Sequence, residues 1–189
     1  MKILPLFLIY VLLMTLSAKS YGQLKICVYN ATVRIEDGRL FFIPGNYPAA
    51  ADSLDKLLNS GKADTASLFQ RALLYDLSNN VLTKPAPGDK GAYEHLLKAE
   101  DLVKKAVELK MQALPLKILR AQIYSDLTYR FADDQTWKFK REDIVRRRAL
   151  FNSFKALANK YYEELSQLDR ANASDYRKKL VKTNYPITD

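Results

Sequence analysis

The sequence predicts an all-α fold of antiparallel helical hairpins, with a long C-terminal helix and a small β-hairpin in front. Three observations predict it. From Pro44-Gly45 onward, apolar residues recur in steps of three and four, the period of a helix with one buried face. Turn-forming residues separate these stretches, at Asn59-Ser60-Gly61, in TKPAPGDKG over 83–91, and at Ala132-Asp133-Asp134. Residues 24–43 differ, carrying the β-branched Ile26, Val28, Val33 and Ile35.

Taken in order, the first 22 residues join Lys2 to an apolar run from Ile3 to Leu16, followed by the small residues Ser17, Ala18, Ser20 and Gly22. This is the pattern of a secretory signal peptide, with cleavage expected before Gln23. The run is shorter than the ~20 apolar residues that span a bilayer, which argues against an uncleaved anchor. Cys27 does not read as a lipid-modification site, because bulky Leu24-Lys25-Ile26 precedes it. Residues 23–44 form an N-terminal segment that reads either as a hairpin turning at Asp37-Gly38 or as a helix interrupted at Gly38; the composition favours the hairpin. The helical domain, 45–183, is expected to carry helices at about 47–59, 64–80, 91–112, 114–131 and 136–170, with a short one near 173–183. Asp64 or Thr65 opens the second. Residues 184–189 are left as a tail.

Removing the first 22 residues leaves 167, enough for one domain burying about 70% of its unfolded surface. A single cysteine allows no disulfide within the chain, so the core must hold without one. The net charge of +9 falls to +7 without Lys2 and Lys19. In an exported chain this excess points to an acidic partner or an anionic lipid or glycan surface, with a solvated face as the plain alternative; nucleic acid is not expected.

A short motif recurs. RALLY at 71–75 returns as RAQIY at 120–124, an offset of 49 positions. Around the copies, Gly45-Asn46-Tyr47 with Ala50, Leu54 and Leu57 is followed by Ala72 and Tyr75. Ala99, Val103 and Ala106 are likewise followed by Ala121 and Tyr124. Leu57 to Ala72 and Ala106 to Ala121 are both 15 residues. These residues and intervals resemble tetratricopeptide repeats, helical hairpins of about 34 residues with small side chains where the helices cross. The resemblance spans about 45–156. It departs from the pattern between Ala72 and Ala99, where about 15 extra residues intervene, and beyond Tyr124, where Ala149, Ser153 and Ala156 give the best continuation. It implies a short stacked solenoid that binds another protein through a groove, with Arg71, Tyr75, Arg120 and Tyr124 as candidate groove residues.

The long last helix carries a strict seam, Phe151, Phe154, Ala158, Tyr161, Leu165 and Leu168, which extended backward reaches Arg147 and Ile144. The basic segment KFKREDIVRRR, 138–148, places Lys140, Arg141, Arg146, Arg147 and Arg148 near Trp137 and Phe139. It reads either as a surface for anionic lipid, glycan or an acidic groove, or as a solvated face partly neutralised by Glu142 and Asp143.

No catalytic constellation, metal set or phosphate loop stands out, and no cofactor is expected. His95 is the sole histidine, without a serine or cysteine motif beside it. Asp52-Ser53-Leu54 and Asp64-Thr65-Ala66 resemble O-glycan acceptor triplets of Bacteroidetes envelope proteins. The expectation is a non-catalytic scaffold of the periplasm or outer membrane, binding another envelope protein.

Overall fold

The computed structural model describes residues 24–36, 46–81, 90–132 and 136–187. The proposed signal peptide, the Asp37-Gly38 turn, Gly45, most of the 83–91 loop and Asp133-Asp134 lie outside them. The element order is β1 (Ile26–Tyr29), β2 (Thr32–Ile35), α1 (Pro48–Asn59), α2 (Thr65–Val81), α3 (Lys90–Glu108), α4 (Leu114–Tyr129), α5 (Arg141–Leu168) and α6 (Ala173–Lys178), with single 3-10 turns at Thr136–Lys138 and Arg170–Asn172. The fold is mostly helical behind a small antiparallel hairpin.

The hairpin exists, but its turn is at Asn30-Ala31, seven residues before the expected one. Both residues have positive φ, 48° and 56°, as a two-residue turn between right-twisted strands requires. The register pairs Ile26 with Ile35 and Val28 with Val33. Asn30 adopts this backbone readily, whereas Ala31 does so at a cost offset by its burial in the core.

Each helix packs on its successor: α1 on α2, α2 on α3, α3 on α4, α4 on α5 and α5 on α6. The most extensive contacts are α2 with α3 and α4 with α5. The four alanines expected at the crossings, Ala72, Ala99, Ala106 and Ala121, are all 0% exposed. A methyl group is the largest side chain that lets two helix backbones approach so closely.

The two junctions leading into α2 and α4 have the same backbone hydrogen bonds at the 49-residue offset. After α1, Gly61 N–H donates to Leu58 O and Lys62 N–H to Leu57 O. After α3, Lys110 N–H donates to Val107 O and Met111 N–H to Ala106 O. Both turns need a left-handed residue, met by Gly61 (φ 69°) in one and by Lys110 (φ 66°) in the other. The next helix then starts at Asp64 or at Ala113, again 49 apart. Asp64 caps α2, its Oδ1 accepting from Ser67 N–H at 2.8 Å and Ser67 Oγ at 2.6 Å, bonds that hold its carboxyl below the usual range. Ala113 offers no such cap, and Pro115 opens α4 instead.

Four expectations change. Ala149, Ser153 and Ala156 are exposed; the buried set on α5 is Ala158, Tyr162 and Leu165, with the same steps of four and seven. The intervening chain is therefore nine residues longer than expected. Leu57, expected at an inner position, is 38% exposed, while Leu58 packs on the core. The seam of α5 holds at Phe151, Phe154, Ala158 and Leu165, but Tyr162 is buried more fully than Tyr161 and Leu168 faces outward. Nor is the end of the chain a loose tail, since Tyr185 packs on Phe151 with ring centres 5.6 Å apart and Ile187 is buried.

Candidate functional site: a cleft between α3, α4 and α5

Gln122 of α4 and Arg120, two residues earlier, lie about 200° apart around the helix, so they serve opposite sides of it. On the Gln122 side, β2 lies across α4 and α2. Val33 N–H donates to Gln122 Oε1 at 3.0 Å, and Gln122 Nε2 donates to Asp76 Oδ2 on α2. Asn79 Nδ2 donates to Asp126 Oδ2 at 3.2 Å, and Arg130 Nη2 donates to Asn79 O at 3.1 Å. Burial, then the charge of Asp126, holds the Asp76 carboxyl well above the usual range; burial pushes Asp126 up to about 7 against the opposing charge of Arg130. This face, shared by the first helices of the two hairpins, is thus filled by the chain's own strand.

On the Arg120 side, a half-open cleft of about 450 Å³ opens between the end of α3, the start of α4 and the last turns of α5. That volume falls in the range of small-ligand and side-chain pockets. Val107 and Met111 form one wall, Leu116 the floor, and Leu165 with Leu168 the other wall. Lys117, Glu164 and Gln167 stand among them. The Arg120 guanidinium carbon lies 4.0 Å from the Tyr161 ring centre, and its Nε is buried without a hydrogen-bond partner. Tyr161 stacks on Tyr124, centres 5.5 Å apart. Tyr124 OH donates to Glu100 Oε1 at 2.7 Å, and Lys104 Nζ pairs with the same oxygen at 2.9 Å. Burial and the Glu100 carboxylate keep the Tyr124 phenol protonated well above its ordinary value.

The corresponding place in the first copy is built differently. Arg71 donates from Nε and Nη2 to the two oxygens of Asp55 at 2.7 and 2.9 Å, a fork-to-fork pair. Its guanidinium carbon lies 3.8 Å from the centre of the Tyr75 ring, which also meets Lys98 at 5.6 Å and His95 at 5.4 Å.

Of the residues singled out from sequence, Arg120 lines the cleft, whereas Tyr124 lies 3% exposed behind Tyr161 and offers no ring to a partner. Arg71 and Tyr75 are partly buried and hold α1 and α3 to α2. The basic segment splits in two. Lys140, Arg141 and Arg146 are exposed, Arg146 pairing with Asp143 at 3.0 Å. Arg147 turns inward over Phe139 at 4.2 Å and Phe131 at 5.1 Å, and Arg148 donates to Ile187 O at 3.0 Å, anchoring the chain end. The seam of α5 carries Arg147 inward, and the chain end covers Arg148. Beside the exposed group, Trp137 is 82% exposed.

Sequence reasoning missed Tyr161 and Leu168 as cleft residues and the whole Asp76–Gln122–Asp126 network; nothing local marks the network. Among the described residues, no helix is long and apolar enough to cross a membrane. No protein family, curated protein or solved structure matches the chain.

Proposed function

We propose that this chain is a non-catalytic interaction protein of the cell envelope, exported by its first 22 residues, whose hairpins stack in the manner of tetratricopeptide repeats. Its partner, another envelope protein, docks in the cleft between α3, α4 and α5. The observation carrying this reading is the internal repeat. Helix ends, left-handed caps and the fully buried Ala72 and Ala121 recur at one offset, and an apolar cleft opens beside Arg120 of the second copy. The face between α2 and α4 is filled by β2, which directs a partner to the other side of α4.

A photo-crosslinking residue placed at Leu168 or Gln167 of the full chain in its native envelope tests it. A discrete protein adduct at these positions, absent with the same residue at exposed Asp52, is the expected result. Equal labelling at all three positions, or none, removes the reading.

A second reading has one observation in its favour. Trp137 stands exposed beside Lys138, Lys140 and Arg141, with Val145 57% exposed, the mix of aromatic and cation that sits at an anionic membrane surface. Sedimentation with phosphatidylglycerol vesicles that falls steeply with salt, and is lost in Trp137→Ala, supports it; salt-independent or absent binding rejects it.

A further inference from the structure

Two buried acceptors on α2 lack a donor. Asp76 is 0% exposed and Asn79 1% exposed, three residues apart on one face of the helix. Asp76 Oδ2 accepts from Gln122 Nε2, and Asn79 Nδ2 donates to Asp126, but Asp76 Oδ1 and Asn79 Oδ1 have no hydrogen-bond partner among the described residues. Two lone acceptors cannot satisfy each other, whereas a proton on Asp76 Oδ1 makes the carboxyl a donor to the amide oxygen. The surroundings favour that proton. Burial first, then Asp126 of α4, opposes ionisation of Asp76, and Tyr162 of α5 lies against both carboxyls. Arg130 of α4 and Lys179 of α6 act on Asp126, and among the described residues no charged group of α1, α3 or β2 acts on Asp76. Asp126 is half-buried beside Arg130 and can ionise where it stands. Asp76 has no such cation and no exposure.

The element lying over this pair is lightly held. Val33 N–H donates to the other end of the Gln122 amide, and β2 packs on α4 and α2. β1 packs on β2, so β2 alone makes the extensive contacts that bind the β-hairpin to the helices. Its turn keeps Ala31 at φ 56°, a conformation that alanine adopts at a cost, and a two-stranded hairpin is marginal in water by itself.

We propose that Asp76 is protonated while the β-hairpin is docked, and that its ionisation lifts the hairpin off, uncovering the face shared by α2 and α4. Water then reaches Asp76 through the space that β2 leaves. The docked state holds a proton that the undocked state releases at the ordinary carboxylate value, so docking is complete at low pH and weakens as pH rises. The device depends on the hairpin alone, and the cleft beside Arg120 and its occupant play no part in it.

Amide hydrogen exchange of the full chain, followed by NMR from about pH 5 upward and divided by the intrinsic rate at each pH, gives the opening constant of the Val33 amide. Release of one proton makes that constant rise about tenfold per pH unit above the ordinary carboxylate value. Val33 is expected to follow this slope, with the Leu119 and Ile123 amides of α4 at least about tenfold less open at every pH. In Asp76→Asn, whose amide can both accept from Gln122 and donate to Asn79 Oδ1, Val33 opening is expected to be flat with pH. One opening constant shared by Val33 and the α4 amides would overturn the proposal, because pH would then act on the whole fold. So would Val33 opening that does not change with pH, or a folded Asp76→Asn that keeps the original slope. The first two comparisons need no variant and decide the matter even where Asp76→Asn does not fold.

Discussion

The first copy, α1 to α3, and the second, α3 to α5, are built to one plan, and their differences show which parts of the plan are structural. At each local position the first uses the residue best suited to it, with Asp64 as the cap, Gly61 in the left-handed turn and Asp55 neutralising Arg71. The second has Ala113, Lys110 and Lys104 at the same places, each a poorer local choice. The second copy compensates with bulk, through Tyr161 and Phe154 packed on Tyr124, Phe131 on Phe154, and the buried chain end on α5. It also contributes Gln122 and Asp126 to the polar network shared with Asp76 and Asn79 of α2, Gln122 standing where the first copy has the buried Leu73, and Asp126 where it has Leu77.

Converting residues of the second copy into those of the first breaks or sharpens this contrast. The largest effect is expected from Gln122→Leu, which restores the first copy's leucine but leaves Val33 N–H and the Asp76 carboxyl unpaired in the interior. At ~1–3 kcal/mol for each of the two stranded groups, urea unfolding should register a loss of about 2–6 kcal/mol. A loss below about half a kcal/mol would show that the hairpin is not latched through Gln122.

Next, Ala121→Leu should cost about 1–3 kcal/mol by overpacking the crossing, whereas Ala149→Leu, on the exposed face of α5, should stay within about 0.5 kcal/mol. Equal effects in thermal melts would restore the phase that the sequence suggested for α5.

Asp76 of α2 and Asp126 of α4 give the contact between the two copies a pH dependence. Asp126 is raised to about 7 and Asp76 is raised with it, so the folded state holds protons that the unfolded chain releases at ordinary carboxylate values. Their stabilising contribution is complete below about pH 4 and is lost as pH rises through about 7. Denaturation midpoints at about pH 5 and about pH 8 should therefore differ, with the protein weaker at the higher pH, and Asp126→Asn should narrow the gap. An unchanged gap in the variant would place the titration elsewhere.

The smallest expected effects are at the two left-handed caps. Lys110→Gly relieves a left-handed lysine and should add about 0.5–1 kcal/mol, while Gly61→Ala, with open space around the new methyl but φ at 69°, should lose a similar amount. Opposite signs in paired melts confirm the matching caps; the same sign would mean that the two turns are not equivalent.

Much of the fold was legible because it is set locally. Helix limits followed from Gly61, Asp64 and the spacing of apolar residues, and the buried alanines followed from the recurrence of one interval. The hairpin turn was misplaced because Asp37-Gly38 is the stronger turn dipeptide by composition, while Asn30-Ala31 wins through pairing of Val28 with Val33 and burial of Ala31. Of the candidate site, only Arg120 was visible, since the rest of the cleft comes from α3 and α5, whose lining residues run from Val107 to Leu168.

By itself, then, the sequence determined the helices, their caps and the phase of the central hairpins, because these depend on neighbours within a turn or two of the chain. Tertiary structure decided which arginines face solvent, where the last hairpin's phase falls, how Asp76 and Asp126 come to share one interior, and that the open cleft lies beside Arg120. Those outcomes depend on which surfaces meet after the chain has folded back, and charge and burial at a meeting of three helices are properties of no single segment.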